Sequence, residues 1–124
     1  MENYQNYKMG TKCVQGGNRP VNGEPRQIPI VQSTTFKYET SEAMGRLFDL
    51  EEEGYFYTRL QNPTNDIVAQ KICDLEGGVA GMLTSSGQAA NYYAAFNICE
   101  AGDHIICSAH VYGGTFNLFG VTMK

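Results

Sequence analysis

The sequence predicts an α/β fold organised around a strand–helix–strand unit in its C-terminal half. Two short apolar runs, residues 79–83 and 104–107, are typical of buried strands. Between them, the Ala-rich amphipathic stretch of residues 87–98 is long enough to form a helix that crosses from one strand to the other. A helix in this position makes the two strands parallel, with a right-handed connection. We therefore expect the beginning of a parallel sheet.

The first 36 residues predict an extended arm with turns. The residues that interrupt any regular pattern in this segment are Gly16, Gly17, Pro20, Gly23, Pro25 and Pro29. The arm ends in an apolar, β-branched stretch at residues 28–36. Such a stretch can lie on another subunit or domain, or it can fold back over the core of its own chain. The sequence leaves both positions open.

Three further helices are predicted outside the strand–helix–strand unit. The first is capped by Thr40 or Ser41 and extends to about residue 50. The second begins at Pro63 and ends at Gly77-Gly78. The third begins near residue 116. The apolar faces expected for the first two comprise Ala43, Met44, Leu47, Leu50, Val68, Ile72 and Leu75.

Composition and charge exclude several classes of protein. The chain has 124 residues, of which 42% are hydrophobic and 18% are charged, so it is long and apolar enough to form a core. A net charge of −4 without a basic cluster argues against nucleic acid as a partner. No apolar run approaches the ~20 residues that a membrane-spanning helix needs, so no membrane partner is expected.

The cysteines and histidines predict no metal site. The four cysteines form no C-x-x-C pair, and only two histidines are present. Cys99 and Cys107 lie in apolar stretches, where we expect them in the core. The N-terminus lacks the apolar segment of a signal peptide. Reduced thiols and a cytoplasmic location are therefore expected.

A candidate anion site follows the first predicted strand. Thr84-Ser85-Ser86-Gly87 leads into the start of a helix, whose unpaired N–H groups and positive dipole end attract phosphate. The same residues also make a good helix cap, which is the alternative. Residues 109–114 follow the second predicted strand and would meet this motif at the same edge of the sheet. That convergence favours a ligand site.

Aromatic and basic residues indicate a phosphorylated ligand with a flat ring. Tyr112, in a Tyr-Gly-Gly loop, is placed to stack on such a ring. Tyr57 and Arg59 are two residues apart and can reach one anion together, since arginine bonds phosphate oxygens in a bidentate way. Taken singly, Arg59 could equally pair with the acidic residues 51–53, and Tyr112 could be a half-buried aromatic residue at a strand end.

Several segments, in this order, resemble motifs of the Cys/Met-metabolism family of pyridoxal-phosphate enzymes. They are residues 10–13, 29–36, 57–64, 85–90 and 111–115. The resemblance covers almost the whole chain and implies a fold-type-I transferase. It implies an N-terminal arm and short helix over residues 1–54. Residues 55–124 would then be the first part of the cofactor domain, with a parallel or mixed sheet.

The resemblance implies that pyridoxal 5'-phosphate is the cofactor and assigns residues to it. Gly87 and Gln88 would donate backbone N–H groups to the cofactor phosphate, beside Ser86. Tyr112 would stack on the pyridine ring and assist proton transfer, which makes it a candidate catalytic residue.

Other residues are assigned by the resemblance to a neighbouring subunit or to the substrate. Tyr57, a second candidate catalytic residue, and Arg59 would reach the phosphate of the neighbouring subunit's cofactor. A homo-oligomer with shared active sites, a homotetramer, is therefore expected. Asn62 would shape the loop near the substrate.

Residues 45–50 and 112–119 are most similar to one branch of the family. That branch replaces the acetate of O-acetyl-L-homoserine with sulfide or a thiol. The γ-lyase branch usually has a cysteine where Gly114 stands. The branch that forms cystathionine also carries Tyr-Gly-Gly-Thr, so it is the nearer alternative.

The resemblance also implies that part of the active site lies beyond residue 124. The family's cofactor-binding lysine and its aspartate on the pyridine nitrogen have no counterpart in the motifs present, and Lys124 stands in a different context. We therefore expect the N-terminal portion of a longer enzyme, inactive by itself. A non-catalytic fragment that only binds a partner subunit is the alternative outside the enzyme class.

Overall fold

A computed structural model describes residues 6–124. Its helices are α1 (Met9–Gln15), α2 (Ser41–Phe48), α3 (Pro63–Glu76), α4 (Gly87–Phe96) and α5 (Gly113–Asn117), the last continuing into a π-helical turn (Leu118–Thr122). None of the helices in the described residues is long and apolar enough to cross a membrane. The chain divides into two compact units, Met1–Met82 and Leu83–Lys124. The expected boundary between arm and cofactor domain, at residues 54 and 55, stays a prediction.

Three helix ends lie where the sequence predicts them, whereas α2 ends at Phe48, short of residue 50, and α5 begins at Gly113, before the expected start near residue 116. Thr40 caps α2, because its hydroxyl oxygen accepts the N–H of Ala43 at 3.1 Å. Pro63 is the first residue of α3, where its missing N–H costs no hydrogen bond. Gly77 ends α3 with φ 72°, a left-handed conformation that glycine adopts without steric cost. These predictions are confirmed.

The apolar stripe predicted for α3 is wrong. Val68 and Ile72 are 43% and 52% exposed, whereas the buried residues of this helix are Ala69, Cys73 and Asp74. Val68 and Ile72 do share one face of α3, but the face that is covered within this unit is the one that carries Ala69, Cys73 and Asp74. The N-terminal segment covers this face at Asp74, and Gly78 and Gly81, which follow the helix, lie close to Cys73 and Ala69.

That N-terminal segment contains a helix that the sequence analysis did not predict. Helix α1 packs against α3, so the expectation of an arm with turns is wrong at residues 9–15. The buried carboxylate of Asp74 accepts the N–H of Gly17 at 2.8 Å and lies 3.7 Å from the guanidinium of Arg19. A helix of seven residues is too short to be stable alone, so tertiary contacts must stabilise it. Because those contacts involve residues distant in the chain, the local sequence pattern does not predict the helix.

Three residues expected in the core are not buried. Leu50 is 87% exposed, because α2 ends before it. Its φ of 59° is a left-handed backbone conformation, so its side chain no longer follows the apolar face of the helix. Cys107 is exposed and Cys99 is only partly buried, whereas Cys73 in α3 is buried. All four cysteines are free thiols.

The end of the arm, residues 29–35, folds back onto the segment that follows α2. Val31 donates its N–H to the hydroxyl of Thr64 at 2.9 Å. Thr35 and Tyr57 form an antiparallel bridge. Of the two positions that the sequence left open, the structure shows these residues folded against their own chain.

The two predicted strands do not form a sheet among residues 6–124. Residues 79–83 and 104–107 are irregular and unpaired, and Val79 and Ile106 are fully exposed. A strand obtains its ladder of hydrogen bonds from a neighbouring strand, and the described residues contain none. Helix α4, between the two segments, is formed as predicted. The sheet itself stays a prediction.

Candidate active site

The start of α4 has the properties of an anion site. The hydroxyl oxygen of Ser86 caps the helix by accepting the N–H of Ala89 at 3.1 Å. Within the described part of the chain, the N–H groups of Gly87 and Gln88 have no acceptor. The first turn carries no acidic residue, and nothing lies within 4 Å of the position that a Cβ on Gly87 would take. An anion can therefore approach both N–H groups at the positive end of the helix.

Three polar side chains join the start of α4 to the start of α5. The hydroxyl of Thr115 donates to Gln88 Oε1 at 3.2 Å and accepts from Asn91 Nδ2 at 3.0 Å. Asn91 Nδ2 lies 3.4 Å from Gln88 Oε1. Because Thr115 is only 7% exposed, water competes little for these bonds. The network holds the loop before α5 beside the anion site.

Tyr112 stands immediately before α5 and presents an open ring. The residue is 75% exposed, so the ring is available to a ligand. A Cβ placed on Gly114 would come 2.6 Å from Cε1 of this ring and 3.2 Å from Gln88 Nε2. The ring of Tyr112 and the side chain of Gln88 therefore border the same small space at the start of α5.

Tyr57 and Arg59 form a second cluster. The guanidinium carbon of Arg59 lies 5.2 Å from the centre of the Tyr57 ring, within the range of a cation–π contact. The alternative of an ion pair between Arg59 and the acidic run is not seen in residues 6–124. Glu52 of that run pairs with Arg46 at 2.6 Å instead. Arg59 is exposed, so its charge is available to an anionic group.

Asn62 is buried within the loop that carries the Tyr57–Arg59 cluster. Its Oδ1 accepts the N–H of Thr64 at 2.9 Å, which caps α3. Its Nδ2 donates to the carbonyl of Val31 at 3.1 Å and to Thr58 Oγ1 at 3.1 Å. The side chain therefore fastens the loop to the end of the arm. Contact of Asn62 with a substrate stays a prediction.

Tyr55, next to this loop, is a phenol that stays protonated at neutral pH. Burial raises the pKa of Tyr55 above its ordinary value of 10.0, and a hydrogen bond to Asp66 and the charge of that carboxylate raise it further.

No group of three or more potential metal-ligating side chains occurs in the region that the structure describes.

The predicted site residues fall into two sets. Tyr57, Arg59 and Asn62 lie in the first compact unit, and Ser86, Gly87, Gln88 and Tyr112 lie in the second. Within the second unit, the structure brings the phosphate-binding candidates and the aromatic ring together. A helix start open to phosphate beside a free aromatic ring is the arrangement of a protein that binds a phosphorylated aromatic cofactor.

Comparison with known proteins identifies the family. The model of the Cys/Met metabolism PLP-dependent enzyme family matches residues 10–124. The chain belongs to this family, whose cofactor is pyridoxal phosphate. The residues present fit that cofactor, because the α4 start has free N–H groups, no nearby acid in its first turn and open space at Gly87.

Two similar proteins within the family are both named O-acetyl-L-homoserine sulfhydrylase. The chain is 42% identical over 119 residues to the O-acetyl-L-homoserine sulfhydrylase of Leptospira meyeri, a match that covers 95% of this chain and 27% of that protein. It is 46% identical over 99 residues to the O-acetyl-L-homoserine sulfhydrylase of Corynebacterium glutamicum, covering 80% of this chain and 23% of that protein. The chain thus spans about a quarter of the length of these relatives.

A solved structure shows the same fold. The crystal structure of a Campylobacter jejuni protein designated an O-acetylhomoserine (thiol)-lyase superposes with a TM-score of 0.86 at 34% sequence identity. The match covers 95% of this chain and 29% of that one. That protein carries N'-pyridoxyl-lysine-5'-monophosphate.

Three parts of this network were not predicted from the sequence: Asn91, Thr115 and the role of the Gln88 side chain. Gln88 and Asn91 are three residues apart on a predicted helix, so their position on one face was predictable. Nothing local signals that Thr115, 24 residues beyond Asn91, completes their network. Only the packing of α5 beside α4 reveals it.

Proposed function

We propose that the protein containing this chain replaces the acetate of O-acetyl-L-homoserine with sulfide or a small thiol, using pyridoxal phosphate, in homocysteine and methionine synthesis. The Leptospira and Corynebacterium relatives, both named sulfhydrylases, support this reaction. The observation that carries the proposal is the linkage of the α4 anion site to the Tyr112 loop through Thr115. It provides a phosphate site beside an aromatic ring.

The second compact unit would bind the cofactor. The N–H groups of Gly87 and Gln88, with Ser86, hold the phosphate, and Tyr112 stacks on the ring and moves a proton at its hydroxyl. When bound, pyridoxal phosphate supplies an electron sink for carbons near the substrate amino group. In the overall reaction the Cγ–O bond breaks, acetate leaves as the anion, and hydrosulfide forms the new Cγ–S bond.

The first compact unit would serve a neighbouring subunit. Tyr57 and Arg59 reach the phosphate of that subunit's cofactor in a cytoplasmic homotetramer with shared sites. The exposure of Arg59 and its distance of 5.2 Å from the Tyr57 ring support a joint contact with one anion. Asn62 fixes their loop and lies near the substrate.

The direct test is an assay of the full-length protein. With O-acetyl-L-homoserine and sulfide, we expect homocysteine and acetate to form in equal amounts. Cystathionine formed from added cysteine at a much higher rate would identify the synthase branch, and cleavage of methionine would identify the γ-lyase branch. A cofactor-loaded protein that forms none of these products would contradict the proposed function.

Changes at Tyr112 should separate stacking from proton transfer. Tyr112→Phe keeps the ring, so in the full-length protein turnover should fall while cofactor affinity stays nearly unchanged. Tyr112→Ala should also weaken cofactor binding, by about two- to tenfold, because aromatic stacking contributes ~0.5–1.5 kcal/mol beyond area burial. Cofactor titration and assay at saturating cofactor measure the two effects. Full activity in the first variant, with unaltered affinity in the second, would remove Tyr112 from the site.

A further inference from the structure

Thr58 stands between the two residues of the Tyr57–Arg59 cluster, and its hydroxyl is bound to other parts of the chain. The hydroxyl donates to the carbonyl of Ser33, at the end of the arm, and accepts an N–H from Asn62 Nδ2 at 3.1 Å. Thr58 is half-buried, whereas Arg59 is exposed. One residue of this loop is therefore fastened to the arm while its neighbour is open to a ligand.

The backbone around Thr58 forms a short turn over residues 57–61. The carbonyl of Tyr57 accepts the N–H of Leu60 at 2.9 Å and that of Gln61 at 3.1 Å. The N–H of Thr58 donates to the carbonyl of Thr34 at 2.9 Å, which joins the turn to the arm. The bonds of the Thr58 hydroxyl add two further attachments to the same turn.

The two partners of the Thr58 hydroxyl determine which side chains this position accepts. The carbonyl of Ser33 can only accept a hydrogen bond, so it needs a donor. Asn62 uses its Oδ1 for the N–H of Thr64 at 2.9 Å, so the group that it turns to Thr58 is its Nδ2, which can only donate. The position therefore needs a group that donates and accepts at once, as a hydroxyl does and a methyl group does not.

We propose that Thr58 is a positioning residue for the Tyr57–Arg59 cluster. Because it fastens the turn to the arm, both residues of the cluster extend from a backbone that is already ordered, and the guanidinium carbon of Arg59 lies 5.2 Å from the centre of the Tyr57 ring. A site that is ordered in advance loses less conformational freedom when its ligand binds. This inference rests on the proposed function, in which the cluster binds the cofactor phosphate.

The test compares Thr58→Val with Thr58→Ser in the full-length protein. Thr58→Val keeps the branched shape and removes the hydroxyl, so a smaller fraction of molecules holds the turn in its binding arrangement, and apparent affinity falls with that fraction. We expect pyridoxal phosphate to bind about three- to tenfold more weakly, as the loss of one hydrogen bond produces. Thr58→Ala removes the same hydroxyl and should give the same loss. The matched control Thr58→Ser keeps the hydroxyl and should bind within about twofold of the wild type.

Pyridoxal, which lacks the phosphate, separates positioning from a general effect on the fold. Because the cluster acts on the phosphate, Thr58→Val should bind pyridoxal within about twofold of the wild type. Both compounds are titrated into the apoprotein and followed by absorbance. An equal loss of affinity for the two compounds would show that Thr58 only supports the fold, which would overturn the proposal.

A mutant cycle shows whether Thr58 acts through the cluster. In a background that carries Tyr57→Phe and Arg59→Ala, the turn presents neither hydroxyl nor charge to a phosphate, so Thr58→Val should then change the affinity for pyridoxal phosphate less than about twofold. An undiminished effect in that background, or an unchanged affinity in Thr58→Val alone, would overturn the proposal. If the wild type binds the cofactor but lacks sulfhydrylase activity, only the proposed reaction fails. The comparison of affinities still decides the role of Thr58.

Discussion

Replacement of Arg59 by alanine in the full-length protein is expected to weaken cofactor binding by about ten- to a hundredfold. A hydrogen bond between arginine and a charged phosphate contributes ~1.5–3 kcal/mol, and each 1.4 kcal/mol corresponds to about tenfold in affinity. Arg59 is free to make this bond because its guanidinium is exposed and stands over the Tyr57 ring. Titration of pyridoxal phosphate into the apoprotein, followed by absorbance, measures the loss.

Arg46→Ala is the matched control. Arg46 is also a surface arginine, but it pairs with Glu52 at 2.6 Å and both side chains are about half exposed. Exposed ion pairs contribute ~0–1 kcal/mol, so this change should leave cofactor affinity within about twofold. Arg59→Lys keeps the charge and loses the planar fork, and should give an intermediate affinity. Equal affinities for the Arg59 and Arg46 alanine variants would exclude Arg59 from the phosphate site.

Mixed oligomers test whether the Arg59 contact crosses between subunits. Subunits carrying Arg59→Ala are mixed with subunits that lack the cofactor-binding lysine, under conditions where subunits exchange. If each site draws on two chains, some mixed sites contain both intact parts, and activity should return. Absence of recovery, with exchange demonstrated independently, would show that Arg59 serves its own subunit.

Replacement of Asn62 by alanine is expected to have the second large effect, an increase in the rate at which nearby backbone amides exchange their hydrogens. Asn62→Ala removes the cap of α3 and leaves the carbonyl of Val31 without its partner. Loss of a cap costs ~1 kcal/mol, and a part-buried carbonyl left without its partner costs ~1–3 kcal/mol. The amides of Thr64 and Thr58 in the full-length protein should therefore exchange roughly thirty- to a thousandfold faster.

Two further variants separate the functions of this side chain. Asn62→Asp keeps an acceptor for the Thr64 N–H but cannot donate to Val31 or Thr58. It should preserve protection at Thr64 and lose it at the Thr58 amide, which donates to the carbonyl of Thr34 at 2.9 Å. Thr40→Ala is the matched control. It removes an exposed cap of α2 that makes one hydrogen bond, and it should lower the free energy of unfolding by only ~1 kcal/mol. Unchanged exchange at both amides in Asn62→Ala would refute the fastening role.

The local parts of the structure were predictable from sequence, because their causes are local. Thr40, Pro63 and Gly77 set helix ends through their own side chains or backbone conformations, and each does so as expected. The start of α4 was predictable for the same reason, since Ser86 and Gly87 alone provide a cap and open space.

What could not be predicted depends on partners that are distant in the chain. Val68 and Ile72 are spaced as an apolar face, yet within this unit the covered face of α3 is the one that holds Asp74. A sequence pattern specifies which residues share a face but not which element covers it. The bonds of Asn62 to Val31, across 31 residues, escape local analysis in the same way.

The fold-back of the arm end has a consequence for the order of assembly during translation. Its side-chain bonds to the following loop and to the start of α3 span 25 to 35 residues, from Ser33–Thr58 to Pro29–Thr64. Closing loops of this size costs little more entropy than closing shorter ones. Both partners are synthesised before α4, so the arm end can close while the rest of the chain is still on the ribosome. Because residues 30–35 are uncharged and rich in β-branched side chains, early closure shortens the time during which they could pair with another nascent chain.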